Sequence, residues 1–189
     1  MTDNRDDKTE AEMEVRSTGN NITLIGMPAA GKSTVGVLLA KRLGYSFIDV
    51  DIVIQEEKGK LLKEIIKEQG LDGFMEVENQ VNAGLKANRA VIAPGGSVIY
   101  GKEAMENLKS LGPVVYLKIS YEELLSRLGD VVDRGVVLKD GMTLKDLYEE
   151  RITYFEKYAD ITIDEEGKEL GSVVDELREM MEERGLALG

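Results

Sequence analysis

Neither cysteine nor histidine occurs in the 189 residues, and tryptophan is absent too. Without cysteine there is no disulfide and no thiolate nucleophile. Without histidine there is no Ser-His-Asp triad, and without both there is no zinc site of the usual kind. Only oxygen ligands remain for a metal, and these suit magnesium. Proton transfer is left to carboxylates, lysine and tyrosine. Aromatic residues make up only 5% of the chain, so a stacking platform for single-stranded nucleic acid is not expected. Positive charge is also scarce: 36 acidic residues face 24 basic ones, a net charge of −12. That field repels a phosphate backbone and no run of Lys and Arg opposes it, so no nucleic-acid partner is expected. An anionic ligand has to be held by a few placed cations and backbone N–H groups. No long apolar run occurs and the N-terminus is acidic, so neither a membrane partner nor an export signal is expected, and the location is expected to be cytoplasmic.

What is present reads as a globular α/β protein, expected as a monomer or weak homodimer. Residues 1–20 are polar, charged and without apolar periodicity, and are expected to be a disordered acidic tail. From residue 21 to 189 one domain is expected. Short apolar runs at Asn21–Gly26, Ser46–Val50, Arg89–Ala93, Pro113–Ile119 and Ile161–Asp164 read as strands. Helical spacing connects them: Gly31–Leu43, stretches within 51–88 broken by Gly59, Gly70 and Gly73, then Lys102–Leu111, Tyr121–Leu128, Thr143–Tyr158 and Leu170–Arg184. This alternation predicts a five-stranded parallel sheet with helices on both faces. Residues 129–142, with three glycines and little periodicity, read as a long loop of the kind that serves as a mobile lid.

Gly26-Met27-Pro28-Ala29-Ala30-Gly31-Lys32-Ser33 fits G-x-x-x-x-G-K-[ST], after a strand and opening a helix. There the glycines let successive N–H groups turn inward onto phosphate oxygens, and the helix N-terminus adds its dipole. Gly26, Ala29, Ala30, Gly31, Lys32, Ser33 and Thr34 are the candidate nucleotide-binding residues. Lys32 reaches the terminal phosphates, and Ser33 offers a hydroxyl to magnesium. ATP with Mg2+ is the expected ligand. Asp49 and Asp51 end the second strand on the same edge of the sheet. One suits magnesium, through water, and the other suits the proton of an attacking hydroxyl. The alternative is that Asp51 caps the helix that follows. Pro94-Gly95-Gly96-Ser97 ends the third strand, either presenting N–H groups to a ligand or making a tight turn.

Together, GMPAAGKSTVGVLLAKRLG, FIDVD, GFMEVE, APGGSV, LLSRL, DRGVV and YEERITYFEKYADI resemble the shikimate kinase family of small P-loop kinases over about residues 22–183. The resemblance implies a P-loop kinase fold with a lid and transfer of the γ-phosphoryl of ATP to a hydroxyl of shikimate. It implies that Lys32 and Ser33 serve ATP and magnesium, and that Asp49 holds magnesium through water. Asp51 contacts the acceptor hydroxyl as base, and Gly95 and Gly96 contact the acceptor. Arg127 lies against adenine, Arg134 is the lid arginine, and Arg151 faces the acceptor's anionic group. Without the family pattern, Arg127 and Arg151 read as exposed helix residues and Arg134 as a loop residue.

Two departures fall on the acceptor side. Met75 stands where the family carries the arginine that grips the substrate carboxylate. Methionine cannot donate to a carboxylate, and losing such a charge-assisted contact costs about 1.5–3 kcal/mol. Pro94 replaces the first of three glycines and removes an N–H. On the ATP side the changes are smaller: Pro28 and Ala29 vary the loop interior, and Gly135 follows the lid arginine where the family usually has proline. A decayed enzyme loses residues on both sides, whereas here the phosphate machinery is retained. The expected function is an ATP-dependent kinase of a small-molecule hydroxyl acceptor, with either shikimate or another hydroxy metabolite as that acceptor. Lys58 or Lys63 is the candidate replacement for the missing arginine. Two other readings compete: a nucleoside or nucleotide kinase, and an inactive nucleotide-binding module.

Overall fold

The computed structural model describes residues 19–128 and 141–186. The expected tail (1–20) and lid (129–142), apart from two residues of each, lie outside the described residues, as does Arg134. The strands are β1 (Ile22–Ile25), β2 (Ser46–Asp49), β3 (Ala90–Ala93), β4 (Val114–Lys118) and β5 (Ile161–Asp164), each within a residue or two of its expected bounds. They pair in parallel in the order β2-β3-β1-β4-β5. β1 and β3 are buried along their whole length, as continuous apolar runs in a doubly covered parallel sheet should be.

The helices are α1 (Lys32–Leu43), α2 (Val50–Lys58), α3 (Leu62–Gly84), α4 (Lys102–Leu111), α5 (Tyr121–Leu128), α6 (Leu144–Tyr158) and α7 (Leu170–Glu183). α1 turns Val35, Gly36, Leu39, Ala40 and Leu43 inward, while Leu38, which the apolar spacing places on that face, is exposed. Gly36 lies against the Phe47 ring of β2, where a Cβ would come within 2.5 Å of Phe47 Cε2. α2 ends at Gly59 as expected. The break at Gly70 is a kink, with φ of 73°, inside the longer α3. Gly73 does not break the helix: α3 runs through it, because the packing of Phe74, Val77 and Val81 outweighs its weak helix preference. Thr143 caps α6 by accepting from the Asp146 N–H. No described helix is long and apolar enough to cross a membrane.

At the N-terminal end of β1 one polar side chain stitches three segments. Asn21 is buried; its Nδ2 donates to the carbonyls of Ala87 and Leu111, at 2.9 and 3.0 Å, and its Oδ1 accepts from the Ala90 N–H at 3.0 Å. The stitch ties the starts of β1 and β3 to the end of α4, so the opposite ends of β1 and β3 emerge side by side. Asn21→Ala removes three hydrogen bonds in a site closed to water. It is expected to lower the unfolding free energy by about 2–3 kcal/mol. Urea denaturation should show a lower midpoint at unchanged slope; an unmoved midpoint contradicts this role.

Candidate active site

The phosphate loop leaves β1 through a backbone that only glycine accommodates. Gly26 has φ of 154°, and a Cβ there would sit 2.7 Å from the Leu117 carbonyl oxygen on neighbouring β4. Ala29 takes the left-handed region at φ 62° despite its Cβ, a strain of about 1–2 kcal/mol stored in the loop. Gly31 precedes α1 at φ 84°. The Lys32 ammonium folds back onto the loop and donates to the carbonyls of Gly26 (3.0 Å) and Met27 (3.1 Å). Burial pushes it down to about 8, partly offset by the charge of Asp51.

Ser33 Oγ donates to Asp49 Oδ2 at 3.0 Å. The other Asp49 oxygen accepts from the Asp51 N–H at 3.1 Å, so Asp49, not Asp51, caps α2. The strand ends one residue earlier than its apolar run, and Asp51 lies in the first helical turn rather than two residues further along an extended chain. This separates the two carboxylates. Asp49 meets the Ser33 hydroxyl, and Asp51 faces the neighbouring cavity. Burial, and then the nearby Asp49 charge, raise the Asp51 carboxyl above its usual range.

The cavity, about 990 Å³, lies at the C-terminal ends of β1 and β3, where the chain reverses its order across the sheet. Ala29, Gly31, Lys32, Ser33 and Thr34 form one side; Gly26 and Ala30 are buried beneath. Asp51, Gly95, Gly96 and Arg151 form the other side, with an apolar wall of Leu61, Leu62, Ile66, Leu71 and Phe74. Arg151 is buried, 8% exposed, with its guanidinium 5.6 Å from the Tyr100 ring centre. Lys63 lines the cavity, whereas Lys58 lies in a separate groove between α2 and the end of α3. Met75 does not line the main cavity. It borders a small void behind Arg151 with Tyr100 and Glu150. Arg127 is not in the cavity wall; it is fixed by Glu123 and Glu165, each at 2.7 Å.

Sequence reasoning passed over Glu78. This carboxylate, 1% exposed, projects from α3 to the floor of the cavity and accepts a hydrogen bond from Ser97, the last residue of the turn after β3. Burial raises it to about 7, against an ordinary value of 4.5, and Ser97 lowers it only in part. Gly95 is required by close approach: a Cβ there would collide with Glu78 Oε1 and lie 3.2 Å from Asp51 Oδ1. The available signal was an acidic residue on the buried stripe of α3, between Phe74 and Val81, where only a site or a partner tolerates it.

The sequence model of the family described as shikimate kinase matches residues 28–182. A shikimate kinase of Persephonella marina is 35% identical over 158 residues, 83% of this chain and 96% of its own length. One from Clostridium botulinum strain Okra is 43% identical over 142 residues, covering 72% and 83%. Among solved structures, the shikimate kinase of Acinetobacter baumannii in complex with shikimate superposes with a TM-score of 0.79 at 30% identity, covering 89% of this chain and 96% of that one.

Glu78 generates a pH test. Its carboxyl holds a proton in the folded state up to about pH 7 but loses it near 4.5 when unfolded. The folded state therefore binds more protons in that window, and stability falls as pH rises through it, by at most about 3 kcal/mol from this group. Glu78→Gln is expected to remove this part of the slope and to be more stable than the wild type above pH 7. Parallel wild-type and variant urea curves at pH 5 and pH 8 check it; identical differences at the two pH values contradict a buried, proton-holding Glu78.

Proposed function

The chain belongs to the shikimate kinase family, and from that premise we propose that it transfers the γ-phosphoryl group of ATP to a hydroxyl of a small metabolite. The observation that carries this reading is that Lys32, Asp51 and Arg151, from three different helices, face one cavity. The loop N–H groups and the start of α1 receive the phosphates. Lys32 exchanges the carbonyls of Gly26 and Met27 for phosphate oxygens. Ser33 and Asp49 already place two oxygens 3.0 Å apart at the loop, a donor set that fits a hard cation; with these two the chain would hold magnesium, which neutralises phosphate charge when bound.

Asp51 takes the acceptor hydroxyl. As the hydroxyl oxygen forms its bond to the γ-phosphorus, the bond to the bridging oxygen breaks, ADP leaves with that electron pair, and the hydroxyl proton passes to Asp51. A carboxyl raised above its usual range is better matched to this proton than an ordinary aspartate. Gly95 and Gly96 allow the acceptor close to the backbone, and Arg151 takes its anionic group. Arg127, held flat by two carboxylates, is assigned to adenine, and Arg134 to the phosphates, on the family pattern. With ATP as donor, the reaction is placed in the cytoplasm. Shikimate is the reference acceptor. An acceptor other than shikimate is favoured by one feature, the position of Met75 beside Arg151, where the side chain brings no charge for a carboxylate.

ADP release from Mg-ATP, with acceptors added one at a time and shikimate first, tests the reading. Lys32→Ala should abolish acceptor-dependent release. Asp51→Asn should keep ATP binding and lose at least about 100-fold in transfer. Full transfer by Asp51→Asn removes Asp51 from the reaction, and ATP binding without transfer to any acceptor favours the inactive module.

A further inference from the structure

The acceptor half of the cavity carries a charge arrangement that a simple anion does not complete. Glu78 Oε2 is taken by Ser97, but Oε1 has no hydrogen-bond partner among the described residues, although it is shut off from water. An unsatisfied buried carboxylate oxygen is costly, and retaining one at a cavity floor points to a ligand. Asp51 and Glu78 approach Gly95 together, so two carboxylates flank one glycine. The adjacent Gly96 is approached instead by Arg151, whose Nη1 would lie 3.0 Å from a Cβ there. Arg151 Nε also lacks a partner among the described residues. Negative and positive anchors thus stand on successive residues of one turn.

The charges around Glu78 can be counted. Asp51 faces it from α2, Lys32 from α1 and Arg151 from α6. One turn before it on its own helix stands Met75, which brings no charge, on the same side of α3 and in the place of the family's arginine. Exposed Lys63 reaches the cavity wall from the first part of α3. Once phosphates engage Lys32, the acceptor half keeps Asp51 and Glu78 at its floor with Arg151, and exposed Lys63 at its wall. An acceptor bringing only a carboxylate leaves Glu78 Oε1 without a partner. One bringing an ammonium as well supplies that partner.

We propose that the acceptor is a small hydroxy amino acid: Glu78, with Asp51 beside it, receives the ammonium group, Arg151 receives the carboxylate, and the side-chain hydroxyl is phosphorylated. This rests on the kinase reading above and names the substrate class of the same site. The products are ADP and an O-phospho amino acid. Because an ammonium ligand requires ionised Glu78, its binding near pH 6 releases a proton, which phosphoryl transfer itself does not require.

The test uses the full-length chain, with L-serine, L-threonine and L-homoserine set against their des-amino analogues 3-hydroxypropionate, 3-hydroxybutyrate and 4-hydroxybutyrate, and against shikimate. Calorimetry with Mg-ADP present reads binding, and ADP release from Mg-ATP reads transfer. At least one amino acid should support Lys32-dependent transfer with a kcat/KM about 10- to 100-fold above its des-amino analogue. Its binding heat at pH 6 should vary with the ionisation enthalpy of the buffer. Glu78→Gln should erase that discrimination, and Met75→Arg, which restores a cation to α3, should shift preference about tenfold or more toward shikimate. If shikimate is phosphorylated while the amino acids neither bind nor react, the inference falls and the kinase reading stands. Equal binding of amino acids and des-amino analogues also overturns it. If no acceptor reacts and ATP does not bind, the kinase reading falls and the phosphorylation of an amino acid falls with it, whatever the calorimetry shows of binding.

Discussion

Everything that matters in this molecule happens where two buried strands end side by side. β1 and β3 are pinned together at their other ends through Asn21, so the phosphate loop and the Pro94–Ser97 turn must emerge next to each other. A Cβ on Gly96 would be 3.5 Å from Pro28 Cδ, so the two turns are in contact. Charged groups crowd into the space this leaves: Lys32, Asp51, Glu78 and Arg151, with Lys63 at its wall. Burial, more than any one partner, is the largest influence on Lys32, Asp51 and Glu78. An ammonium pushed down and two carboxyls pushed up are each disfavoured in their charged forms by burial. Ligand charge supplies what solvent cannot.

The cavity therefore has two halves with different histories of constraint. On the nucleotide side, a lysine, a hydroxyl and a capping aspartate are locked by short contacts to the loop itself. Little can change there without loss of phosphate binding. On the acceptor side, the wall is largely apolar, Arg151 lies against the Tyr100 ring, and Glu78 keeps an oxygen without a partner among the described residues. Met75, three residues before Glu78 on α3, borders the small void beside Arg151.

How much of this was legible in the sequence follows from how local each feature is. The five strands, the phosphate loop and α1 announce themselves through continuous apolar runs and a motif whose spacing is set by backbone geometry, and the fold follows from the alternation. Features decided by packing were not legible. The helix continues through Gly73 because three buried side chains hold it. The cap falls on Asp49 because β2 stops a residue before its apolar run does. Leu38 is exposed while Gly36, on the buried face, lies against the Phe47 ring. Arg127 is expected against adenine from the resemblance and as an exposed helix residue without it, and its two carboxylate partners, one of them 38 positions away, needed the fold to be found. Glu78 was hidden for the same reason: its meaning depends on Ser97 and Gly95, which the chain reaches only after another strand.

The central claim is that phosphoryl groups pass to an acceptor hydroxyl and not to water. Phosphorus NMR of the full-length chain turning over Mg-ATP with its acceptor tests this directly. The account predicts a phosphomonoester resonance that grows in step with ADP and disappears when the acceptor is omitted. Inorganic phosphate as the sole product, at the same rate with or without acceptor, would contradict it.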